Sequence, residues 1–537
     1  MTTPENASPL PARTPPAPPQ VTGMARAASL IASGNIASRI LGLAREIVIA
    51  NLFGATGFVS AFEAAQRIPI MLYDLLVGGM VNAVLVPVFS EQAERDRAAL
   101  WHIFSLICSL AVIGLTAVIL LIELAAPQVA FLLVGGFDEA LLAVTVQLLR
   151  LTTPAVLFLS LSGIISGLLY ALKRFALPAF TAAIFNAAIV MVALAGVRLL
   201  GWGIEALAVG LLLGSVLMVL LQLPGMREAR LRFVIDPRHP ILRRIGQLYL
   251  PILLGLVISF IAITLDRNLA SRTGAQSIAW MRFATTLIQF PLGLVSAAIS
   301  LAILPTLARQ AIAAAENNSG LADFMDTLAT GLRLVLILII PATVALFVLA
   351  EPVIALLFQH GDFTAADTQQ TALALRLYLF GLPFAAIDQP LIFAYYARQN
   401  TLTPALVGLL GVGFYLAAAL LPTLIRPLQM TDLVLANSIQ LTSHAVIMLW
   451  LTNRVASLGR RSLAPTTLKA GSAALVMGLL LWGILPFTVT RLGELLLVAL
   501  AALVGGSVYL LGLWLLRTPE LALLSDVLQR FWPKLNA

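Results

Sequence analysis

The sequence is poor in charge, cysteine and histidine, and each shortage excludes a class of protein. Only 11% of its 537 residues are charged, whereas soluble domains carry about 25%, so a large soluble enzyme is excluded. The single cysteine, Cys108, excludes an intramolecular disulfide framework and a cysteine-based metal cluster. The four histidines lack the spacing of metal ligands, and we therefore expect no metal site.

The sequence is rich in apolar residues. Hydrophobic residues make up 60% of the chain, and the mean hydropathy is +0.98. The net charge of +8 comes from basic residues in short loops between apolar segments. That distribution favours orientation in a membrane over nucleic-acid binding, so we expect membrane lipids as neighbours and no nucleic-acid partner.

The apolar segments have the length of membrane-spanning helices. A span needs about 20 apolar residues, and by that measure the chain contains about fourteen, without the period-two alternation of a β-barrel. We predict an all-α polytopic membrane protein. The expected spans are 27–53, 58–91, 101–124, 141–171, 178–200, 204–224, 243–269, 275–308, 324–349, 367–397, 402–424, 431–453, 466–487 and 493–516.

The loops and the tails predict the orientation. Basic residues concentrate in the loops on the N-terminal side, for example in the stretch 227–244, so the positive-inside rule places both termini in the cytoplasm. Residues 1–22 are rich in proline and carry no signal-peptide pattern. We expect them to form a disordered cytoplasmic tail, and 518–537 to form a cytoplasmic C-terminal tail.

A short internal repeat divides the chain into two lobes. The second predicted helix ends in the sequence 87–92 (PVFSEQ) and the eighth in 305–310 (PTLARQ), and each has an earlier proline, Pro69 or Pro291. Parallel repeats of this kind build transporters around a central cavity. We predict an N-lobe of about six helices at 23–225, a similar C-lobe at 226–456 and two further helices at 457–517. Pro69 and Pro291 are the expected gating positions.

Arginines inside the first predicted helix indicate an anionic cargo. Ionisable groups at membrane depth usually face a water-filled cavity, and guanidinium groups hold phosphates or carboxylates in bidentate fashion. We therefore predict that Arg39 and Arg45 bind a diphosphate headgroup, with Glu46 beside them. The alternative for Arg45 is an ion pair with Glu46 or a position at the membrane surface.

Further charges lie in later helices. Glu63 and Arg67 have the i,i+4 spacing of an ion pair, and Arg67 shares a face with Asp74. Arg67 is therefore either a substrate ligand or a neutralised structural residue, and Glu63 and Asp74 are cavity or gating candidates. Arg282 has no acidic residue nearby in sequence and faces either the cavity or the membrane surface. Asp266, next to Arg267, and Asp388 are candidates for binding a coupling cation, Na⁺ or a proton.

Several motifs resemble one transporter family. They occur in the family's order, at 38–46 (SRILGLARE), 51–55 (NLFGA), 67–69 (RIP), 289–293 (QFPLG), 357–363 (LFQHGDF) and 395–400 (YYARQN). On these residues the chain resembles the MurJ (MviN) family of lipid II flippases, within the multidrug/oligosaccharidyl-lipid/polysaccharide exporter superfamily.

The resemblance implies fourteen helices, alternating access, and a cationic cavity for a polyprenyl-diphosphate-linked glycan. It also implies a groove for the polyprenyl tail near the last two helices and a role in peptidoglycan and cell wall biogenesis and cell shape. Arg39 and Arg45 match the family's helix-1 arginines. Other family charges are replaced: its helix-2 aspartate by Ser60, its helix-2 arginine by Tyr73, and its helix-8 Ala-Asp-Arg by 284–286 (ATT).

The expected function is therefore a flippase for lipid II in the bacterial inner membrane, without catalytic residues or a resident cofactor. One alternative is an exporter of another polyprenyl-diphosphate-linked saccharide. Another is a cation-coupled antiporter, which should have acidic residues in the cavity where this chain has arginines. A third is a scaffold that binds cell-wall synthesis enzymes through the proline-rich tail.

Overall fold

The chain is described by a computed structural model, which is helical along most of its length. The described residues are 21–229, 231–316, 318–455, 462–484 and 491–521, and within them there is no β-strand. This confirms the predicted all-α class. The two predicted tails lie outside the described residues up to residue 20 and from residue 522 onward.

Six long helices make up the first lobe, which we call the N-lobe. A short helix, Ala126–Val134, precedes the fourth of them. The helices are α1 Val21–Phe53, α2 Gly57–Arg95, α3 Arg97–Leu124, α4 Glu139–Ala171, α5 Thr181–Leu200 and α6 Glu205–Gln222.

Six more form the C-lobe, and two helices follow it. The C-lobe helices are α7 Pro240–Ser271, α8 Ser277–Ala314, α9 Asn318–Val348, α10 Ala365–Leu379 with Leu382–Ala397, α11 Leu402–Leu420 and α12 Met430–Val455. The last two are α13 Ala464–Ile484 and α14 Arg491–Leu515, and both pack beside α9 through a separate apolar cluster.

The number of candidate spans comes close to the predicted fourteen. Among the described residues, eleven helices are long and apolar enough to cross a membrane, and two bent pairs, α7 and α10, raise the number to thirteen. The remaining helix, α1, has 33 residues and is thus about 50 Å long, although it carries several charged side chains in its second half. The predicted spans and the observed helices coincide within a few residues.

α2 and α8 are irregular at corresponding places. In α2 the helix breaks at Gln66, and a π-helical segment, Asp74–Gly78, follows Pro69. In α8 a π-helical segment, Leu292–Ser296, follows Pro291 directly. Proline removes a helical hydrogen bond, and π-segments often mark functional sites in helices. The two helices therefore have matching interruptions, one in each lobe.

α7 contacts both lobes. Its two halves, Pro240–Leu250 and Gly255–Ser271, meet at an angle of 55°. The first half packs into the apolar core of the N-lobe, and the Tyr249 hydroxyl donates a hydrogen bond to the Leu75 carbonyl. In the second half, Asp266 accepts a hydrogen bond of 2.6 Å from Tyr415 on α11.

The lobes meet closely on the side where α1 ends and α2 begins, which we call the far face. Gly54 and Gly361 both have φ of +60°, and the Asp362 amide donates to the Asn51 carbonyl at 3.2 Å. A Cβ on Gly54 would lie 2.5 Å from the Asp362 carbonyl oxygen, and one on Gly361 would overlap that of Asn51. The far-face backbones therefore approach as closely as only glycine permits.

Candidate functional site

Charged side chains from three helices, α1, α2 and α8, gather beneath the far face. Glu46 lies about 10 Å from the far end of α1 along the helix, Arg67 about 15 Å from that of α2, and Arg282 about 8 Å from that of α8, taking 1.5 Å per residue. All three residues lie one to three turns from the end of a helix that is longer than the apolar thickness of a bilayer, about 30 Å. The site therefore lies between the long helices, at the junction of the two lobes.

Glu46 is the centre of this arrangement. Its Oε1 lies 2.7 Å from Arg45 Nη2 and 2.7 Å from Arg282 Nη2, while its side chain is only 2% exposed. Arg282 belongs to the C-lobe and Glu46 to the N-lobe, so this contact joins the lobes. The second oxygen, Oε2, is buried and accepts no hydrogen bond from the described residues.

Glu63 is a second buried carboxylate that contacts Arg282. Its Oε1 accepts a hydrogen bond of 2.6 Å from Gln66 Nε2, and its Oε2 lies 3.5 Å from Arg282 Nε. The Glu63–Arg67 ion pair considered from the sequence is not formed, because the helix breaks at Gln66 between the two residues. Arg45, Glu46, Glu63 and Arg282 thus form a neutral set of two cations and two anions, which we call the ion-pair cluster.

Arg45 is held from a second direction as well. Its Nη1 donates to Asn186 Oδ1 on α5 at 3.1 Å, and Asn186 donates in turn to the Ser38 carbonyl at 3.3 Å. The Arg45 side chain is 12% exposed. The structure therefore contains the Arg45–Glu46 ion pair, which was one of the two alternatives for Arg45. In this conformation Glu46 balances the charge of Arg45.

Arg39 stands apart from the cluster. Its side chain is exposed, and its Nη1 lies 3.5 Å from the Gln289 carbonyl oxygen on α8. The guanidinium group rests against Gly293, in the π-helical segment after Pro291. Arg39 therefore bridges α1 and α8 through backbone rather than through an acidic side chain.

The remaining predicted residues have different surroundings. Arg67 forms no salt bridge or hydrogen bond with any described residue, and its Nε is buried without an acceptor. Asp74 is exposed in the π-helical segment of α2. The candidate coupling residues are both partnered: Asp266 by Tyr415, and Asp388 by His444 Nδ1 at 2.7 Å.

Asn186 and Gln66, which hydrogen-bond to Arg45 and Glu63, do not stand out in the sequence. A lone asparagine or glutamine in a membrane helix usually bonds to a neighbouring helix, so neither residue carries a distinctive signal. The acidic partners of Arg282 were also missed, because Glu46 and Glu63 are more than two hundred positions away in the sequence.

Comparison with known proteins places this fold and site in context. The family model described as "Lipid II flippase MurJ" matches residues 49–503. A probable lipid II flippase MurJ of Haemophilus influenzae is 30% identical over 435 residues, which is 76% of this chain and 82% of the relative. The lipid II flippase MurJ of Burkholderia cenocepacia is 29% identical over 397 residues, with 72% and 75% of the two chains covered.

Solved structures share the fold. A lipid II flippase MurJ in an inward closed conformation superposes with a TM-score of 0.75 at 24% identity, over 89% of this chain and 98% of that one. An inward-facing multidrug transporter of the MATE family gives a TM-score of 0.65 at 15% identity, over 79% and 96%. At these identities the likeness extends to the fold alone.

Proposed function

The chain belongs to the MurJ lipid II flippase family, and from that membership we propose that it carries lipid II across the bacterial inner membrane by alternating access. The work of this family is transport rather than catalysis, so the residues of the site bind, neutralise and release a charged headgroup. The cargo we propose is a polyprenyl-diphosphate-linked peptidoglycan precursor, and the orientation we propose has both termini in the cytoplasm and the far face outside.

The observation that carries the proposal is the gathering of arginines from both lobes between the long helices. Arg39 and Arg45 come from α1, Arg67 from α2 and Arg282 from α8. A diphosphate is taken out of water only where permanent cations replace its hydration, and guanidinium groups do this at any physiological pH. A site with these groups favours an anionic lipid headgroup over the cationic cargo of a drug antiporter.

The charges of the site support an order of events. Arg45 and Arg282 are already paired with Glu46 and Glu63, whereas Arg39 and Arg67 have no carboxylate partner among the described residues. We propose that the headgroup first meets Arg39 and Arg67. The added negative charge then weakens the attraction of Arg282 to Glu46 and Glu63, which holds the lobes together beneath the far face.

Release of these contacts would let the far face open. Glu46 and Glu63 are N-lobe residues and Arg282 is a C-lobe residue, so outward opening must separate them. Pro69, Asp74 and Pro291 lie in or beside the helical interruptions of α2 and α8, and we propose that these interruptions absorb the change. Coupling to a cation, Na⁺ or a proton, would use Asp266 with Tyr415 or Asp388 with His444.

The test is rescue of a bacterium depleted of its own lipid II flippase. Wild type should restore growth, and Arg39→Ala and Arg45→Ala should not, although both variants reach the membrane in normal amount. Arg376→Ala, which removes an exposed ion pair with Glu351, is the matched control and should rescue. Failure of wild type, or rescue by both site variants, would refute the proposal.

A second experiment addresses the cell-wall enzymes considered as partners. Deleting residues 1–22 removes the proline-rich tail but leaves every group of the site in place. A transporter lacking this tail should still rescue the depleted strain, whereas a scaffold that binds enzymes through the tail should fail.

A further inference from the structure

The non-helical residues 231–235, which we call the linker segment, connect α6 to α7 along the outside of the N-lobe. They lie towards the near face, opposite the far face, where α2 ends and α3 begins. The Arg232 amide donates a hydrogen bond of 3.2 Å to Ser105 Oγ on α3. The Val234 amide donates one of 3.1 Å to Ser109 Oγ on the same helix. The backbone of the linker segment is therefore fixed along α3.

The two serines match the linker segment in spacing. Ser105 and Ser109 are four residues apart on α3, a rise of about 6 Å, and alternate residues of an extended chain are about 6.6 Å apart. Both serines are buried, about 12 Å and 18 Å along α3 from its near end. Backbone groups at that depth in a membrane need partners within the protein. The serines thus allow a non-helical segment to lie at the membrane boundary.

The outer face of the linker segment is apolar. Successive side chains of an extended chain point to opposite sides. Leu231, Phe233 and Ile235 are 57%, 71% and 57% exposed, whereas Val234 between them packs against the apolar core of the N-lobe. Large apolar side chains that are exposed together mark a surface that binds a partner or a membrane. We therefore infer that an apolar phase covers this face.

Arginines surround this apolar face. The stretch 227–244 contains six arginines and two acidic residues. Four of the arginines are exposed and form no salt bridge with any described residue: Arg227, Arg232, Arg238 and Arg243. The acidic residues are engaged nearby, because Glu228 is ion-paired with Arg97 and Arg174 and Asp236 accepts the amide of the following turn. The surroundings of the linker segment thus carry a net positive charge.

We propose that the linker segment is a docking site for anionic phospholipids of the leaflet at the near face. Its apolar side chains lie among the acyl chains, and the arginines bind the lipid phosphates, which guanidinium groups match in shape and charge. Each arginine beside an anionic leaflet favours it by about fivefold. A soluble protein would have to enter the bilayer to cover the same face.

Lipid bound at this site would stabilise the start of α7. The linker segment leads directly into that helix, which contacts both lobes. The docking site is independent of the cargo that the chain transports, so it stands even if the cargo is not lipid II.

The test is fluorescence quenching at position 235 in a membrane. The purified full chain carries Cys108→Ala and Ile235→Cys, is labelled with an environment-sensitive fluorophore, and is reconstituted into vesicles of equal parts phosphatidylcholine and phosphatidylglycerol. One lipid at a time has brominated acyl chains, which quench the label on contact. We expect both lipids to quench, and brominated phosphatidylglycerol to quench at least about twofold more. Added salt should reduce the difference, because it screens exposed charges.

Two arginines of the site should account for the lipid preference. Arg232→Gln combined with Arg238→Gln should abolish the stronger quenching by phosphatidylglycerol while both lipids still reach the label. The matched control is Arg95→Gln combined with Arg309→Gln, which removes the same charge from exposed positions of the near face outside the linker segment. This control should keep the preference.

The apolar face has a control of its own. Phe233→Ser should weaken quenching by both lipids, because it removes the largest apolar side chain of the segment. Phe131→Ser, at a residue that is 60% exposed beside the far face, should leave quenching at position 235 unchanged.

Two results would overturn the proposal. A label that neither lipid quenches would place the linker segment outside the membrane. Equal quenching by the two lipids would remove the preference for anionic lipid. The salt titration needs no substitution in the site, so a preference that salt leaves unchanged would contradict the role of the arginines even if a variant failed to fold.

Discussion

The guanidinium group of Arg39 occupies the space in which a side chain at position 293 would begin. Gly293 lies in the π-helical segment of α8, and the Arg39 Nη1 reaches the Gln289 carbonyl oxygen beside it. Arg39 can therefore contact α8 at this place only because residue 293 is a glycine.

The first prediction concerns Gly293→Ala. Its new methyl group would displace the guanidinium group of Arg39, an exposed side chain that can move aside. We therefore expect Gly293→Ala to lose the Arg39 contact and to gain less than the about 0.5–1 kcal/mol that alanine brings to a helix. Gly413→Ala on α11 is the control, because nothing lies within 4 Å of its Cβ position, and it should gain about 0.5–1 kcal/mol from the better helix former. Thermal unfolding of the two purified variants measures both effects. Equal Tm changes would contradict the Arg39–Gly293 contact.

A related substitution tests whether Arg39 depends on the backbone or on the side chain of Gln289. Arg39 binds the carbonyl oxygen of Gln289, not its amide group, so Gln289→Ala should leave the contact intact. Rescue of a flippase-depleted strain should therefore be kept by Gln289→Ala and lost by Arg39→Ala. Loss of rescue in both would mean that the Gln289 side chain has a role of its own.

The second prediction concerns the two glycines of the far face. Gly361→Ala should destabilise the chain by more than the cost of left-handed backbone alone, about 1–2 kcal/mol, because its Cβ would overlap the Asn51 carbonyl. Gly201→Ala has the same strain, with φ of +67° and nothing within 4 Å, and shows that cost by itself. Hydrogen exchange should accelerate at 51–63 and 358–367 in Gly361→Ala only. Equal exchange in the two variants would contradict close approach of the lobes.

The third prediction concerns the ion-pair cluster. Arg282→Gln leaves Glu46 with Arg45 alone and Glu63 with Gln66 alone, and breaking a buried pair costs about 3–5 kcal/mol. Adding Glu63→Gln should recover part of this loss, because it removes the carboxylate that lost its cation. A double-mutant cycle on the free energy of unfolding measures this coupling. Strict additivity of the two substitutions would contradict direct contact between Arg282 and Glu63.

The fourth prediction concerns the end of the described chain. Glu520 is buried, its Oε1 accepts a hydrogen bond of 2.9 Å from Thr466 on α13, and Arg333 Nη1 on α9 lies 3.4 Å away. Glu520→Ala should cost about 1–3 kcal/mol, because it leaves buried polar groups unpaired. Glu351→Ala removes an exposed ion pair and should cost less than about 1 kcal/mol. Similar Tm values for the two variants would contradict burial of Glu520.

The sequence was sufficient for features that depend on hydropathy or on local spacing. The spans were predictable because each must contain enough apolar residues to cross a bilayer, and their ends agree with the observed helices within a few residues. Pro69 and Pro291 were recognisable as matching interruptions because proline acts on its own helix. Both hydropathy and the position of a proline can be read from one segment of the chain, without knowledge of its neighbours in the fold.

The partners of the charged residues could not be predicted in this way. Glu63 and Arg67 have ideal helical spacing, yet the break at Gln66 separates them, and Glu63 contacts Arg282 of the other lobe instead. Ion pairing across two lobes depends on tertiary structure that no local pattern encodes.

The angle within α7 gives the molecule a built-in reporter of its conformation. Its first half is packed into the N-lobe and its second half is hydrogen-bonded to α11, so we expect rotation of one lobe against the other to change the 55° between them. Spectroscopic probes can be attached on either side of this bend after replacement of Cys108, the single cysteine of the chain. The distance between the two probes would then report the transport cycle from within one helix.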